Sequence, residues 1–167
     1  DAIGALAPPE VAVTYTWPNR IRANGADIGR VEAILSDEDD ADGAPRFLVV
    51  SPIIAVRPQS DDRDPGLDMD RTTLWDEGCG ELTVVDLIDS SARHFMTWLN
   101  TWEEDGFTPV LSQIDGRMEK EHALSFEGKS GTFLGMDENA NLILKLDQGT
   151  DLVPVSEALD TRMEAFV

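Results

Sequence analysis

Residues 15–31 read Tyr-Thr-Trp-Pro-Asn-Arg-Ile-Arg-Ala-Asn-Gly-Ala-Asp-Ile-Gly-Arg-Val, and they leave the backbone little choice. Val11, Val13 and Tyr15 alternate with Ala12, Thr14 and Thr16, the period of a half-buried strand. Trp17-Pro18 must interrupt that strand, because proline has a fixed φ and no donor for a ladder. Beyond it, Ile21–Ala23 and Ile28–Leu35 flank Asn24-Gly25. Asn-Gly accepts positive φ at low steric cost, which a two-residue hairpin turn requires. A strand, a break and a hairpin are therefore expected within one short stretch, with Trp17 and Asn19 at the break.

The later chain divides by periodicity. Arg46–Val56 reads as an apolar strand, central in its sheet, with a bulge or strand end at Ser51-Pro52. Asp37–Gly43 is a solvated turn, and Pro58–Asp70 is a polar loop around Asp64-Pro65-Gly66. Thr83 and Asp86 have capping-box spacing, with Leu82 and Leu87 placed as a hydrophobic staple. Ile88, Ala92, Phe95, Leu99 and Trp102 continue as one helical stripe that ends at Gly106. A shorter helix, Thr108 to Ile114, packs behind it. After Gly116 the period becomes strand-like at 123–126, 131–136, 142–146 and 152–155, which suggests a small barrel or meander. The expected class is α+β. One domain spans residues 1–117, a sheet with the long helix packed on it, and a small β-barrel domain spans 118–167.

Charge removes several functions. The net charge is −20, from 33 acidic against 13 basic residues, and such a field repels phosphate backbones and anionic membranes. No apolar run reaches the roughly 20 residues that span a bilayer. The single cysteine, Cys79, excludes an internal disulfide and suits a reducing cytoplasm, which is the expected location. The acidity invites a calcium site, but neither candidate completes one. Glu38, Asp40, Asp42 and Gly43 occupy positions one, three, five and six of a calcium loop, yet position twelve is Val49 instead of a glutamate. Asp137, Asn139 and Asn141 repeat the spacing with Leu142 in place of glycine. Both read as turns, and no metal site is expected. His94 and His122 fall on different elements, and Cys79 has no base nearby in sequence. No catalytic residue is assigned. Trp17, held beside Pro18 and Asn19, could wall a small-molecule pocket or simply fill a strand break.

The order of these features resembles the biotin protein ligase and lipoate-protein ligase family. That family carries Lys-Trp-Pro-Asn-Asp, a strand, an Asn-Gly turn and Gly-Ile-Leu on the return strand. The matching residues are Thr16-Trp17-Pro18-Asn19-Arg20, Asn24-Gly25 and Gly29–Leu35. Leu48–Ala55 corresponds to the family's next apolar strand, which ends there in Gly-Ile-Gly-Ile-Asn. Thr73-Leu74-Trp75-Asp76-Glu77-Gly78 and a long helix from Val84 to Asp105 follow. Several members append an SH3-like barrel containing Gly-x-x-x-Gly-Ile-Asp, which Gly131–Asp137 resembles.

The resemblance implies ATP-dependent activation of a carboxylic acid and its transfer to a protein lysine. It places ligand-binding residues at Thr16, Trp17, Asn19 and Arg20. It also exposes two departures. The family's lysine, which holds the carboxylate and phosphate of the acyl-adenylate, is here the uncharged Thr16, while Arg20 replaces the aspartate. The family's Gly-Arg-Gly-Arg nucleotide loop has no counterpart, and a start at Asp1 without methionine implies that the first part of the catalytic domain lies outside these residues. The expected function is thus that of a divergent ligase-like protein, or alternatively of a non-catalytic module that binds a small acid or a protein on the same fold. No cofactor is expected in this chain; ATP and biotin or lipoate enter only with an intact, active protein. The expected partners are a small carboxylic acid and an acceptor protein, and a structural fragment would form a homodimer through open strand edges.

Overall fold

The computed structural model describes residues 1–36, 46–58, 68–120 and 122–158. The Asp37–Gly43 turn with its calcium-like spacing and the Asp64-Pro65-Gly66 turn lie outside the described residues. Two four-stranded antiparallel sheets, each with its strands in sequential order, enclose a helical hairpin in the chain order. The first sheet holds β1 (Val13–Thr16), β2 (Arg20–Ala23), β3 (Ala26–Leu35) and β4 (Leu48–Ile54). The helices are α1 (Val84–Asp105) and α2 (Phe107–Asp115). The second sheet holds β5 (Ala123–Phe126), β6 (Lys129–Met136), β7 (Leu142–Lys145) and β8 (Thr150–Val153).

The Asn24-Gly25 turn forms as its chemistry requires, with φ of 48° and 87°. Asn24 does more than turn the chain. Its amide N–H donates to the Ala12 carbonyl, its Oδ1 accepts from the Ala12 amide, both at 2.9 Å, and its Nδ2 donates to Glu77 at 2.6 Å. On the return strand Gly29 has φ of 151°, and a Cβ there would lie 2.0 Å from the Ile53 carbonyl oxygen. Only glycine lets β3 pass that close to β4.

β4 departs from expectation in two ways. It is an edge strand among the described residues, and it runs through Pro52 in unbroken register, with Pro52 opposite Val31. The Val31 amide donates to Asn19 and its carbonyl accepts from the Asn19 side chain, so Val31 turns its polar groups toward β2. The Val31–Pro52 pair is therefore a non-hydrogen-bonded one, and the donor that proline lacks would have pointed outward. No bulge is needed.

The capping box of Thr83 and Asp86 is present, and Leu82 and Leu87 are both buried. The hydrogen bond from Thr83 leads the causes that hold the Asp86 carboxyl below its usual range. The direction in which α1 faces is a correction. Its inward side carries Leu87 and Ser90, flanked by half-buried His94 and Trp98, and not the stripe of Ile88, Ala92, Phe95, Leu99 and Trp102, which is exposed. The two sets are offset by one residue, about 100° around the helix. What α1 covers is the amino-terminal turn and α2, not the breadth of the sheet. Ser90 donates to the Ala2 carbonyl at 3.0 Å and the Trp98 indole to Asp1 at 2.7 Å. Gln113 of α2 and Arg117 reach the same Asp1 carboxylate at 3.1 and 2.8 Å.

The expected SH3-like barrel does not close among the described residues. β5–β8 form an open meander, with no pairing of β5 to β8 among the described residues. Four short strands with one irregularity, between Phe133 and Gly135, curl the sheet, but closure needs more strands or a larger stagger. The Asp137–Asn141 segment serves as its hairpin cap: the Asp137 carboxylate accepts from the Asn139 and Asn141 amides and from the Asn141 side chain. Those bonds, with the Asn141 side chain first, hold the Asp137 carboxyl below its usual range. The Asp137 carboxylate thus holds the turn together.

Two apolar clusters underlie the fold. Ile3, Val11, Ile21, Ala23, Ile28, Leu74, Leu82 and Leu87 form the first. Phe133, Leu142, Leu144, Val153 and Ala158 form the second, joined by Met118 and by Trp17 from the opening hairpin.

Candidate functional site

The break between β1 and β2 projects out of the first sheet and into the second. Pro18 stops the ladder, the Trp17–Pro18 peptide is cis, and the indole of Trp17 enters the second cluster with 6% of its surface exposed. Its Nε1–H donates to the Ala140 carbonyl at 3.2 Å, and Phe126 meets it edge-on at 6.5 Å between ring centres. A large aromatic ring with its polar edge satisfied is a packing wedge. It is also a wall. A cavity of about 290 Å³ lies at this junction, lined by Thr16, Trp17, Pro18 and Arg20 from the first sheet and by Leu124, Ser125, Phe126, Leu142 and Ala158 from the later chain.

Of the residues singled out from sequence, three line that cavity. Thr16 is 7% exposed, and its Oγ1 is buried with no hydrogen-bond partner among the described residues. A buried hydroxyl without a partner costs about 1–3 kcal/mol. Arg20 sits opposite Thr16 in the β1–β2 register and is half-exposed, its guanidinium paired with Asp27 at 3.2 Å. Asn19 does not line the cavity; its side-chain amide donates to the Val31 carbonyl at 2.7 Å and closes the break onto β3. The site thus has an apolar body, one cation on its lining and an unsatisfied hydroxyl beneath.

Sequence reasoning missed the later half of the lining and the clasp beside it. Tyr15 exchanges backbone hydrogen bonds with Arg117 and Glu119, both at 2.9 Å, so residues 117–119 pair with the outer edge of β1. Arg22 then bridges the halves: its guanidinium lies 3.2 Å from Glu119 and 2.8 Å from Nδ1 of His122, and Thr14 donates to the other Glu119 oxygen at 2.6 Å. Arg22 and Thr14 are about a hundred residues from these partners, so no local pattern announces them. The one available signal was the aromatic Phe126 before the Glu127-Gly128 turn.

The other candidates stay apart from this junction. His94 contacts the Ser90 carbonyl within α1 at 2.8 Å. Cys79 is buried, and burial first, then the Glu77 and Glu10 carboxylates, push its thiol up, away from the nucleophilic thiolate. Among the described residues no three His, Cys, Asp or Glu side chains come together as a metal site would need, and no helix is long and apolar enough to cross a membrane.

Comparison with known proteins resolves the fold's ancestry. The model of the biotin/lipoate A/B protein ligase family matches residues 1–115. The chain belongs to that family. A biotin protein ligase-like protein of unknown function from Silicibacter sp. is 37% identical, with a TM-score of 0.79 over 95% of this chain and 67% of that one. A biotin–[acetyl-CoA-carboxylase] ligase from Paracoccus denitrificans is 24% identical over 164 residues, 94% of this chain and 67% of that protein. The biotin protein ligase of Aquifex aeolicus in complex with biotin and ATP shares the fold, with a TM-score of 0.69 at 20% identity over 91% of this chain and 62% of that one. The chain therefore spans about two thirds of the length of these family members. The ligase-family fold includes both of its sheets, since the likeness covers nearly the whole chain.

Proposed function

We propose that the junction cavity binds a small carboxylic acid, as part of a divergent biotin/lipoate ligase-type protein. The observation that carries this reading is the cavity lined by Thr16, Trp17 and Arg20 at the position of the family's ligand motif. Trp17, Leu124 and Phe126 offer the apolar surface that an acyl chain or fused ring would cover. Arg20 supplies a fork of donors for a carboxylate, in exchange for its half-exposed pairing with Asp27. The second sheet supplies the far side of the site, so the acid is held between the halves.

In the intact protein, activation with ATP would join the acid to the nucleotide phosphate with loss of pyrophosphate, and an acceptor lysine would then displace the nucleotide. A cation beside the developing phosphate charge favours that step. Thr16 carries none, which leaves Arg20 as the cation on this lining. Acid binding thus has direct support in the lining, while acyl transfer has support from the family alone. The acceptor protein and ATP belong to that second step.

Calorimetric titration with biotin, lipoate and octanoate tests the binding. Arg20→Ala should weaken the tightest of these about tenfold or more, and Arg20→Lys should restore part of it. Thr16→Lys should strengthen binding of a non-hydrolysable acyl-adenylate analogue. No binding of any acid by the intact protein refutes the reading. Acid binding without acid-dependent exchange of pyrophosphate into ATP assigns the non-catalytic module.

A further inference from the structure

Three side chains with hydrogen-bonding heads line the junction cavity, and they differ in what they already hold. Arg20 is half-exposed and paired with Asp27 at 3.2 Å. Ser125 is exposed, and its hydroxyl accepts from Ser130 at 3.3 Å. Both therefore sit at the rim, where water reaches them. Thr16 lies beneath, buried, and among the described residues its Oγ1 has no partner. Around that hydroxyl the lining is apolar, from Trp17, Phe126, Leu124 and Leu142, and the Trp17 Nε1–H is committed to the Ala140 carbonyl. A hydroxyl so placed is unfavourable in the free protein. Valine would fill the same volume on a strand without that cost. The cost is offset when a bound molecule supplies the missing partner. A plain hydrocarbon chain cannot do so, because it would seal the hydroxyl from water and leave it nothing to bond.

Strand register fixes where that partner must lie. Thr16 and Arg20 are directly opposed in the β1–β2 ladder. Opposed residues send their side chains from the same face, with Cβ atoms about 5 Å apart. A carboxylate held by the Arg20 fork therefore starts close to the Thr16 hydroxyl, and both its oxygens are engaged by the guanidinium. Resting on acid binding at this cavity, we propose that the ligand is a hydroxy acid. Its acyl chain carries an uncharged hydrogen-bonding oxygen within a few bonds of the carboxylate. Thr16 bonds that oxygen while Arg20 holds the carboxylate, and the rest of the chain covers Trp17 and Phe126. Thr16 is then a specificity determinant that separates hydroxylated acids from plain ones. At about 290 Å³ the cavity is at the small end of ligand pockets, which suits a single short acyl chain.

Calorimetric titration of the 167-residue chain compares octanoate with octanoate hydroxylated at its third carbon or at its terminal carbon. The acid hydroxylated at the third carbon should bind about tenfold more tightly than octanoate, and the terminal isomer should gain nothing. Thr16→Val should shrink the tenfold preference to under about twofold, and Thr16→Ser, which keeps the hydroxyl, should retain most of it. With no ligand present, Thr16→Val should raise the thermal midpoint, because an unpartnered buried hydroxyl has been removed. Three results overturn the proposal. One is equal binding of the plain acid and the acid hydroxylated at the third carbon, or a preference for the terminal isomer. The second is a preference that persists in Thr16→Val. The third is a lower midpoint for Thr16→Val in the free state, which would give the hydroxyl a partner inside the fold. Each of these leaves acid binding at the cavity standing, provided that an acid binds. If none of the acids binds, the cavity is not an acid site, and the proposal falls with it.

Discussion

Trp17→Ala separates the two roles that the indole has at the junction. The side chain is 6% exposed and packs in the second cluster, so its removal opens a hole among Phe126, Leu142 and their neighbours. Truncating a buried tryptophan costs about 3–5 kcal/mol, and loss of the donor to the Ala140 carbonyl contributes about 1 kcal/mol of that order. In a chain of this size the drop in Tm would be roughly 6–20 °C. Because the ring comes from the first sheet and its contacts from the second, the damage should fall on their coupling. Urea unfolding should resolve into two transitions, and residues 117–122 should become sensitive to protease. Trp75→Ala is the control: that ring is 43% exposed and covered on one side by Arg57 at 4.3 Å, and its loss should cost under about 1 kcal/mol. If Trp17→Ala abolishes acid binding while costing less than about 1 kcal/mol in a single transition, the indole is a ligand wall and not a wedge, and the packing argument fails.

Three other perturbations follow from the same geometry. Gly29→Ala would drive a Cβ to 2.0 Å from the Ile53 carbonyl at a φ of 151°, so β3 and β4 must part; a loss of about 3 kcal/mol or more in urea denaturation is expected, and a neutral result would show that the hairpin adjusts freely. Arg22→Ala leaves Glu119, whose side chain is 21% exposed, without its cation, at a cost of about 2 kcal/mol, and Arg22→Ala combined with Glu119→Ala should cost less than the sum of the two single changes. Asp137 has its pKa depressed below the ordinary 3.8 by the Asn141 and backbone hydrogen bonds. Its contribution to stability is therefore complete above that ordinary value and is lost as pH falls through the depressed one. Unfolding measured from about pH 5 downward should show this loss, and Asp137→Asn should flatten the slope.

Local chemistry settled every element whose determinants lie within a few residues of one another. The Asn24-Gly25 turn, the break at Trp17-Pro18, the Thr83–Asp86 cap and the Gly106 helix stop are each decided by φ preference or by one side chain reaching a backbone group three residues away. The Thr16–Arg20 motif that resembles the family's was readable on the same terms, because its residues are contiguous. Tertiary structure decided which faces are covered and what the motif does. The stripe Ile88–Trp102 has the right period for a buried face, but periodicity states only that one side is apolar, and which side is covered depends on what the rest of the fold packs against it. Pro52 suggested a bulge or strand end until the register showed its missing donor pointing outward. The site itself is completed by residues more than a hundred positions after Trp17, where Leu124, Ser125, Phe126 and Leu142 close the cavity. Contacts at that separation cost chain entropy that no short window can weigh, and their energy comes from burying an indole that could equally have filled a gap in its own sheet.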